Sequence, residues 1–185
     1  MKMKKYITLL LLLLFTSLSF AQHKEKIKGS KIVTLEPKEI SSFNEIEIED
    51  NLEVFLERGE KNEIKIEADD NLHEIIEFDL KDNILRIYTS KEAINYKKLI
   101  VRVTYTNTLN MVSTKNQSSI NAIQEILLDN ITFKTNDNSQ LYLNVNSKNF
   151  ILQSDDKSKT ELNLKSENAT IELSKNSSLK ALVNA

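Results

Sequence analysis

From residue 130 to residue 183 the chain matches itself when shifted by 19 positions, and this constrains its fold more than any other feature. Asn130, Asn149 and Asn168 coincide, as do Phe133, Leu152 and Ile171. Leu143 and Leu162 coincide with Ala181, and Val145 and Leu164 with Val183. Ser139, Ser158 and Ser177 mark the same break each time, and Ser147 matches Ser166. Between breaks, apolar residues fall at every second position, as in "KTELNLKSENATIELSKNSS" (159–178). Period two means strand, with one face turned inward. A unit of about 20 residues holding two short alternations reads as one turn of a β-solenoid, in which each coil buries its apolar face only against the next.

The breaks suit that reading. They carry asparagine, aspartate and serine, which tolerate left-handed backbone and bond locally, so a chain can bend there without glycine. Asparagines at one corner of successive coils can also hydrogen-bond as a ladder. Fourteen of the twenty asparagines lie at or after Asn107, whereas the whole chain has 2 glycines and 1 proline. Upstream, Leu109 and Met111 precede Ile131 and Phe133 by 22 positions, and Ile120 and Ala122 precede Leu141 and Leu143 by 21. The expected fold is therefore all-β, a single-stranded β-solenoid with 19–22 residues per coil. Its competitor is a meandering β-sandwich, and the absence of Asn-Gly-type hairpin dipeptides counts against that.

The first half alternates as well. In "FNEIEIEDNLEVFLERGEKNEIKIEADDNL" the residues Ile46, Ile48, Leu52, Val54, Leu56, Ile64, Ile66 and Ala68 take the inward positions. Residues 69–83 read as a short helix or an irregular crossing, with Leu72, Ile75 and Ile76 on one side. "ILRIYTS" and "KKLIVRVTYTN" return to strand text.

Residues 1–21 read as a secretory signal peptide. Lys2, Lys4 and Lys5 precede an apolar core over 7–15, and Ser19 and Ala21 supply small residues before a cut at Gln22. That core is short of the ~20 residues a spanning helix needs, so the mature chain is expected to have no transmembrane span. The chain contains no cysteine, which closes the lipoprotein route, disulfides, thiolate metal sites and cysteine nucleophiles. Without the three leader lysines, 25 basic residues become 22 against 27 acidic ones, a net of −5. This balance offers no footprint for nucleic acid. Residues 22–37 are polar and basic and read as a tether running into a first strand near 31–35.

The run from Ile40 to Leu72, "ISSFNEIEIEDNLEVFLERGEKNEIKIEADDNL", resembles the opening of the head GIN domain family, catalogued as auto-transporter adhesins and common in Bacteroidota. "NILRIYTS" (83–90) and "KKLIVRVTYTNTLNMVST" (97–114) continue the resemblance in order, over residues 38–185. The resemblance implies a secreted or envelope protein folded as a right-handed parallel β-helix, with no established catalytic machinery. Family members carry glycines at the corners where this chain has "STKNQSSINAI" (113–123). They also continue for more coils, so a domain that stops at "ALVNA" is expected to be truncated at its C-terminus.

No residue set amounts to an active site, a cofactor site or a metal site. His23 and His73 are the two histidines, and a triad needs one held between a nucleophile and a carboxylate. His73 with Glu74 falls short of a metal site. The adjacent pairs Asp69-Asp70 and Asp155-Asp156 do not face each other across a cleft as glycosidase carboxylates must. Asp137 and Asp156 share a corner, a weak start for calcium, which wants six or more oxygens. Glu45, Glu47 and Glu49 read as an outward acidic strip beside Lys65 and Glu67. Tyr88, Tyr105 and Tyr142 are candidate exposed aromatics for carbohydrate. The sequons at Asn116, Asn130, Asn168 and Asn176 follow from composition. The function expected is a non-enzymatic exported scaffold of the periplasm, outer membrane surface or extracellular space. It would bind an unidentified ligand, such as a surface glycan or an envelope protein. The alternatives are a polysaccharide-acting enzyme by β-helix analogy and a module that assembles end to end.

Overall fold

The computed structural model describes residues 24–122 and 124–184. The signal peptide expected over residues 1–21 and the candidate His23 lie outside the described residues. The chain forms β1 (Lys26–Lys28), β2 (Val33–Glu39), β3 (Glu45–Ile48), β4 (Glu53–Arg58) and β5 (Glu63–Asp69), then a 3₁₀ turn over Asp70–Ile75. It continues with β6 (Ile76–Lys81), β7 (Ile84–Thr89), β8 (Glu92–Ile94), β9 (Leu99–Tyr105), β10 (Met111–Thr114) and β11 (Ser119–Ala122). The last elements are β12 (Ile126–Leu127), β13 (Asn130–Thr135), β14 (Gln140–Ser154), β15 (Lys159–Leu173) and β16 (Ser178–Asn184). β1 and β8 make a small parallel ribbon, and the remaining 14 strands make one sheet.

That sheet corrects the expected fold. It is mixed and curls into a half-barrel, so the chain is not a right-handed single-stranded parallel β-helix. β5 runs antiparallel to both β2 and β9, and β6 runs antiparallel to β7. β9 thus lies between a parallel neighbour, β4, and an antiparallel one, β5. The physical reason is that alternation fixes which side of a strand faces inward and leaves the direction of its neighbour open. Nor are hairpin turns absent. Asp82 and Asn83, at φ 52° and 63°, form the two-residue connection between β6 and β7, with Lys81 opposite Ile84. Two consecutive left-handed residues are what a type I′ hairpin requires, and here neither is glycine.

In β13 to β16 the nineteen-residue spacing is a strand register. Asn130, Asn149 and Asn168 stand side by side, as do Phe133, Leu152 and Ile171. The turns between these strands share one construction. Asp137 and Asn138, Asp156 and Lys157, and Lys175 and Asn176 are all left-handed pairs. Each turn closes with a serine N–H donating to the carbonyl three residues back: Ser139 to Asn136, Ser158 to Asp155 and Ser177 to Ser174.

β14 explains the curl. Its buried residues are odd-numbered at Leu141, Leu143 and Val145, then even-numbered at Phe150, Leu152 and Ser154. A straight strand cannot change parity and keep one face inward, so β14 bends over residues 146–149. The first limb pairs with β11 and the second with β13, along the same edge. The two wings of the sheet are thereby folded toward each other. Between them lies a core filled by Phe43, Tyr105, Phe133 and Phe150, with the aliphatic residues of both wings.

At the N-terminal corner, residues 29–31 and 97–98 are pinned by the wholly buried Asp69. Its carboxylate accepts backbone N–H bonds from Lys31 at 2.8 Å, Lys98 at 2.9 Å and Lys97 at 3.1 Å. Gly29 is required beside it. A Cβ there would overlap Asp69 Oδ2 and stand 2.6 Å from Tyr96 Cβ.

Candidate functional site

Because side chains fill the interior, the outward faces are where this fold can meet another molecule. A groove of about 450 Å³ crosses β3, β10, β13, β14 and β15 on the outside. Strand register sets its floor: Glu47, Ser113, Lys134, Gln153 and Glu172 lie opposite one another in sequence across the five strands. At about 4.8 Å per strand the row extends about 19 Å. Gln153 Nε2 donates to Glu172 Oε2 at 2.9 Å, fixing the orientation of both.

The groove's flank is charged and organised. Arg86 Nε donates to Glu49 Oε1 at 2.5 Å and Lys115 Nζ reaches the same oxygen at 3.0 Å. Burial pushes the Glu49 carboxyl up, but the hydrogen bonds and charges of Arg86 and Lys115 outweigh it and hold the group below the usual carboxylate range. The Arg86 guanidinium lies over the Tyr88 ring, 4.5 Å from its centre. Farther along the same flank Asp155 accepts Ser174 Oγ at 2.8 Å and pairs with Lys175 at 3.1 Å, and both partners lower its pKa. The result is a strip of carboxylate, hydroxyl, ammonium and amide groups on rigid strands. It can hydrogen-bond an extended polar molecule.

A second cleft of about 760 Å³ lies by β12, where Arg58 Nη2 donates to Asn107 Oδ1 at 2.6 Å and Lys148 pairs with Asp129 at 3.1 Å. Several of its polar groups are spent on each other, and β14 and β15 supply much of its wall.

The residues singled out from sequence are scattered. His73 is buried in the 3₁₀ turn, with Nε2 at 2.8 Å from Thr34 Oγ1 and Nδ1 at 3.5 Å from Glu36 Oε2. His73 Nδ1 has no hydrogen-bond partner, the imidazole lies apart from both clefts, and Glu74 is exposed to solvent. Asp69 is the buried staple and Asp70 begins the turn. Asp137 and Asp156 occupy left-handed turn positions, and among the described residues no group of three or more His, Cys, Asp or Glu could hold a metal. The acidic strip does not lie beside Lys65 and Glu67, because β3 and β5 are in different wings. Glu49 is itself buried. Of the tyrosines, Tyr142 is exposed and donates to Gln140 Oε1 at 2.7 Å, Tyr88 sits under Arg86, and Tyr105 is 1% exposed. Burial pushes the Tyr105 phenol up to about 12.

Sequence reading missed Arg86, Lys115 and the Lys134–Gln153–Glu172 row. A signal existed for the row, since these are outward positions of strands whose register the nineteen-residue shift already gave. The Arg86–Glu49 contact spans 37 residues and leaves no local trace.

Solved structures share this fold. One described as a "putative adhesin" from Parabacteroides merdae is 16% identical, with 86% of this chain and 88% of that one covered and a TM-score of 0.58. A "putative lipid binding protein" from Parabacteroides distasonis is 13% identical, covering 86% of this chain and 71% of that one, with a TM-score of 0.69. A "putative adhesin" from Bacteroides fragilis is 17% identical, covering 84% of this chain and 100% of that one, with a TM-score of 0.56. At these identities the likeness establishes fold alone. A comparison with curated proteins finds no match. Residues 42–183 match the family described as "Putative auto-transporter adhesin, head GIN domain", and the chain belongs to that family.

Proposed function

We propose that this is a non-enzymatic envelope or surface protein, exported by a cleaved leader over residues 1–21. A basic segment over 22–37 would precede a GIN domain over 38–185 that works as a binding scaffold. The observation that carries the reading is the outward row Glu47–Ser113–Lys134–Gln153–Glu172 on a sheet whose interior is full. Its ligand is a surface glycan or an extended segment of an envelope protein, because either can meet donors and acceptors repeated at the strand spacing. Membership in a family named for adhesion supports it. The polysaccharide-processing alternative drew on β-helix analogy, and it loses that ground with the corrected fold.

A glycan panel probed with the chain from Gln22 onward tests the proposal. The expected result is binding that drops in Gln153→Ala/Glu172→Ala, with no release of reducing ends. Release of reducing ends, or binding indifferent to those substitutions, would defeat it. A second reading, assembly of copies through β16, is favoured by Leu182 and Val183, 73% and 47% exposed. Light scattering that reports a monomer at every concentration would remove it.

A further inference from the structure

The first limbs of β14 and β15, with β11 and β16, present an outward face on the wing that does not carry the groove. A hollow of about 490 Å³ lies there beside Tyr142. At 41% exposure, Tyr142 is the only exposed aromatic side chain among the described residues. Elsewhere on the surface rings are covered by cations: Lys38 lies over Phe78, Arg102 over Phe55 and Arg86 over Tyr88. Among the described residues no cation or second ring lies over Tyr142. Its hydroxyl donates to Gln140 Oε1, which ties the outer end of the ring to its own strand.

Register places amides next to the ring. Tyr142 is opposite Glu161, and Glu161 opposite Lys180; in the next outward row Asn144 is opposite Asn163, and Asn163 opposite the exposed Leu182. Asn130, Asn149 and Asn168 spend their amides on each other, at 2.8 and 3.0 Å. Among the described residues neither the Asn144 nor the Asn163 amide is bonded to a neighbour in that way. Charge on this face is of both signs and mostly paired. Glu161 lies 3.8 Å from Lys180 and Lys165 lies 4.0 Å from Glu125, while Lys159 stands one row beyond the ring, opposite Gln140.

We propose that this hollow is a second binding site, for a neutral saccharide, in which one pyranose lies against the Tyr142 ring and its hydroxyls meet Asn144 and Asn163. A pyranose has apolar C–H faces and a rim of hydroxyls that each donate and accept. An open aromatic face suits the first, and an amide, with two donors and an acceptor, suits the second in either sense. A charged ligand would find the counter-charges beside the ring already engaged. The site shares no residue with the groove and lies on the other wing, so the inference does not rest on what the groove binds.

The test is affinity electrophoresis of the chain from Gln22 onward through gels holding hydroxyethylcellulose, laminarin or galactomannan, with polygalacturonate as the acidic control. The background is Gln153→Ala/Glu172→Ala, so that retardation is not read from the groove. At least one neutral polymer is expected to retard this protein, and polygalacturonate to retard it less. Adding Tyr142→Ala should weaken the retardation about threefold to tenfold, and Asn144→Ala/Asn163→Ala should weaken it too. Tyr142→Phe, which keeps the ring, should retain it. All of these variants should melt like the parent, because the side chains lie on the outward face. Without retardation by any neutral polymer in this background the second site is overturned and the groove reading is untouched. Retardation that survives Tyr142→Ala, that is lost equally in Tyr142→Phe, or that is strongest with polygalacturonate would overturn it as well.

Discussion

Asp69 keeps its charge in a place water does not reach. Burial alone would push its carboxyl up, but the N–H groups of Lys31, Lys98 and Lys97 outweigh that and hold it below the usual carboxylate range. The folded state thus binds this proton less readily than the unfolded chain, whose carboxyl titrates near 4. Stabilisation is complete above that pH and is lost as pH falls through the lower, folded value. Asp69→Asn should cost roughly 1–3 kcal/mol at neutral pH. Its urea midpoint should also fall less than the parent's on acidification from about pH 5 to about pH 2. Glu49 and Glu67 are lowered too, so the difference between the two proteins is the measure, and equal slopes would refute the staple. Nothing local announced this role, because the partners are backbone groups 28 to 38 residues away. Tyr105 was legible and misread. It follows Leu99, Val101 and Val103 at the inward parity of β9, so the pattern that placed them also excluded it from the surface.

Among the elements, the turn at Asp82-Asn83 decides the direction of β6, and it is where reading by dipeptide failed. Asparagine beside aspartate reaches the same left-handed pair as Asn-Gly does. Asn83→Gly should leave the thermal midpoint close to the parent's, whereas Asn83→Val, β-branched at φ 63°, should cost roughly 1–2 kcal/mol. Equal midpoints for the two would show that Asn83 is not left-handed. The bend in β14 makes a separate demand. Phe133 and Phe150, their rings 6.1 Å apart, fill the space the bend encloses. Truncating either to alanine should cost about 3–5 kcal/mol in urea unfolding, while Gln153→Ala on the outside of the same strand should stay within about 0.5 kcal/mol. Losses of similar size at both would place the core elsewhere. The parity change from Val145 to Phe150 is written in the sequence, as the passage between the two short alternations of one nineteen-residue unit.

For the whole molecule, inward residues and the register and parallel direction of β13–β16 were readable, and the antiparallel pairing of β2, β5 and β6 was not. A period of two is identical for parallel and antiparallel neighbours. The family resemblance came from the right residues and carried a topology the mixed sheet does not have. The mixed character of the sheet depends on β5 lying antiparallel between β2 and β9. The chain contains no cysteine, so introduced pairs can be read without background. Glu63→Cys with Thr104→Cys places two outward residues directly opposite, within the reach of a disulfide. Mild oxidation should join that pair and leave Glu63→Cys with Ile100→Cys unjoined. Preferential joining of the second pair would mean that β5 runs the other way and that the mixed sheet is wrongly drawn.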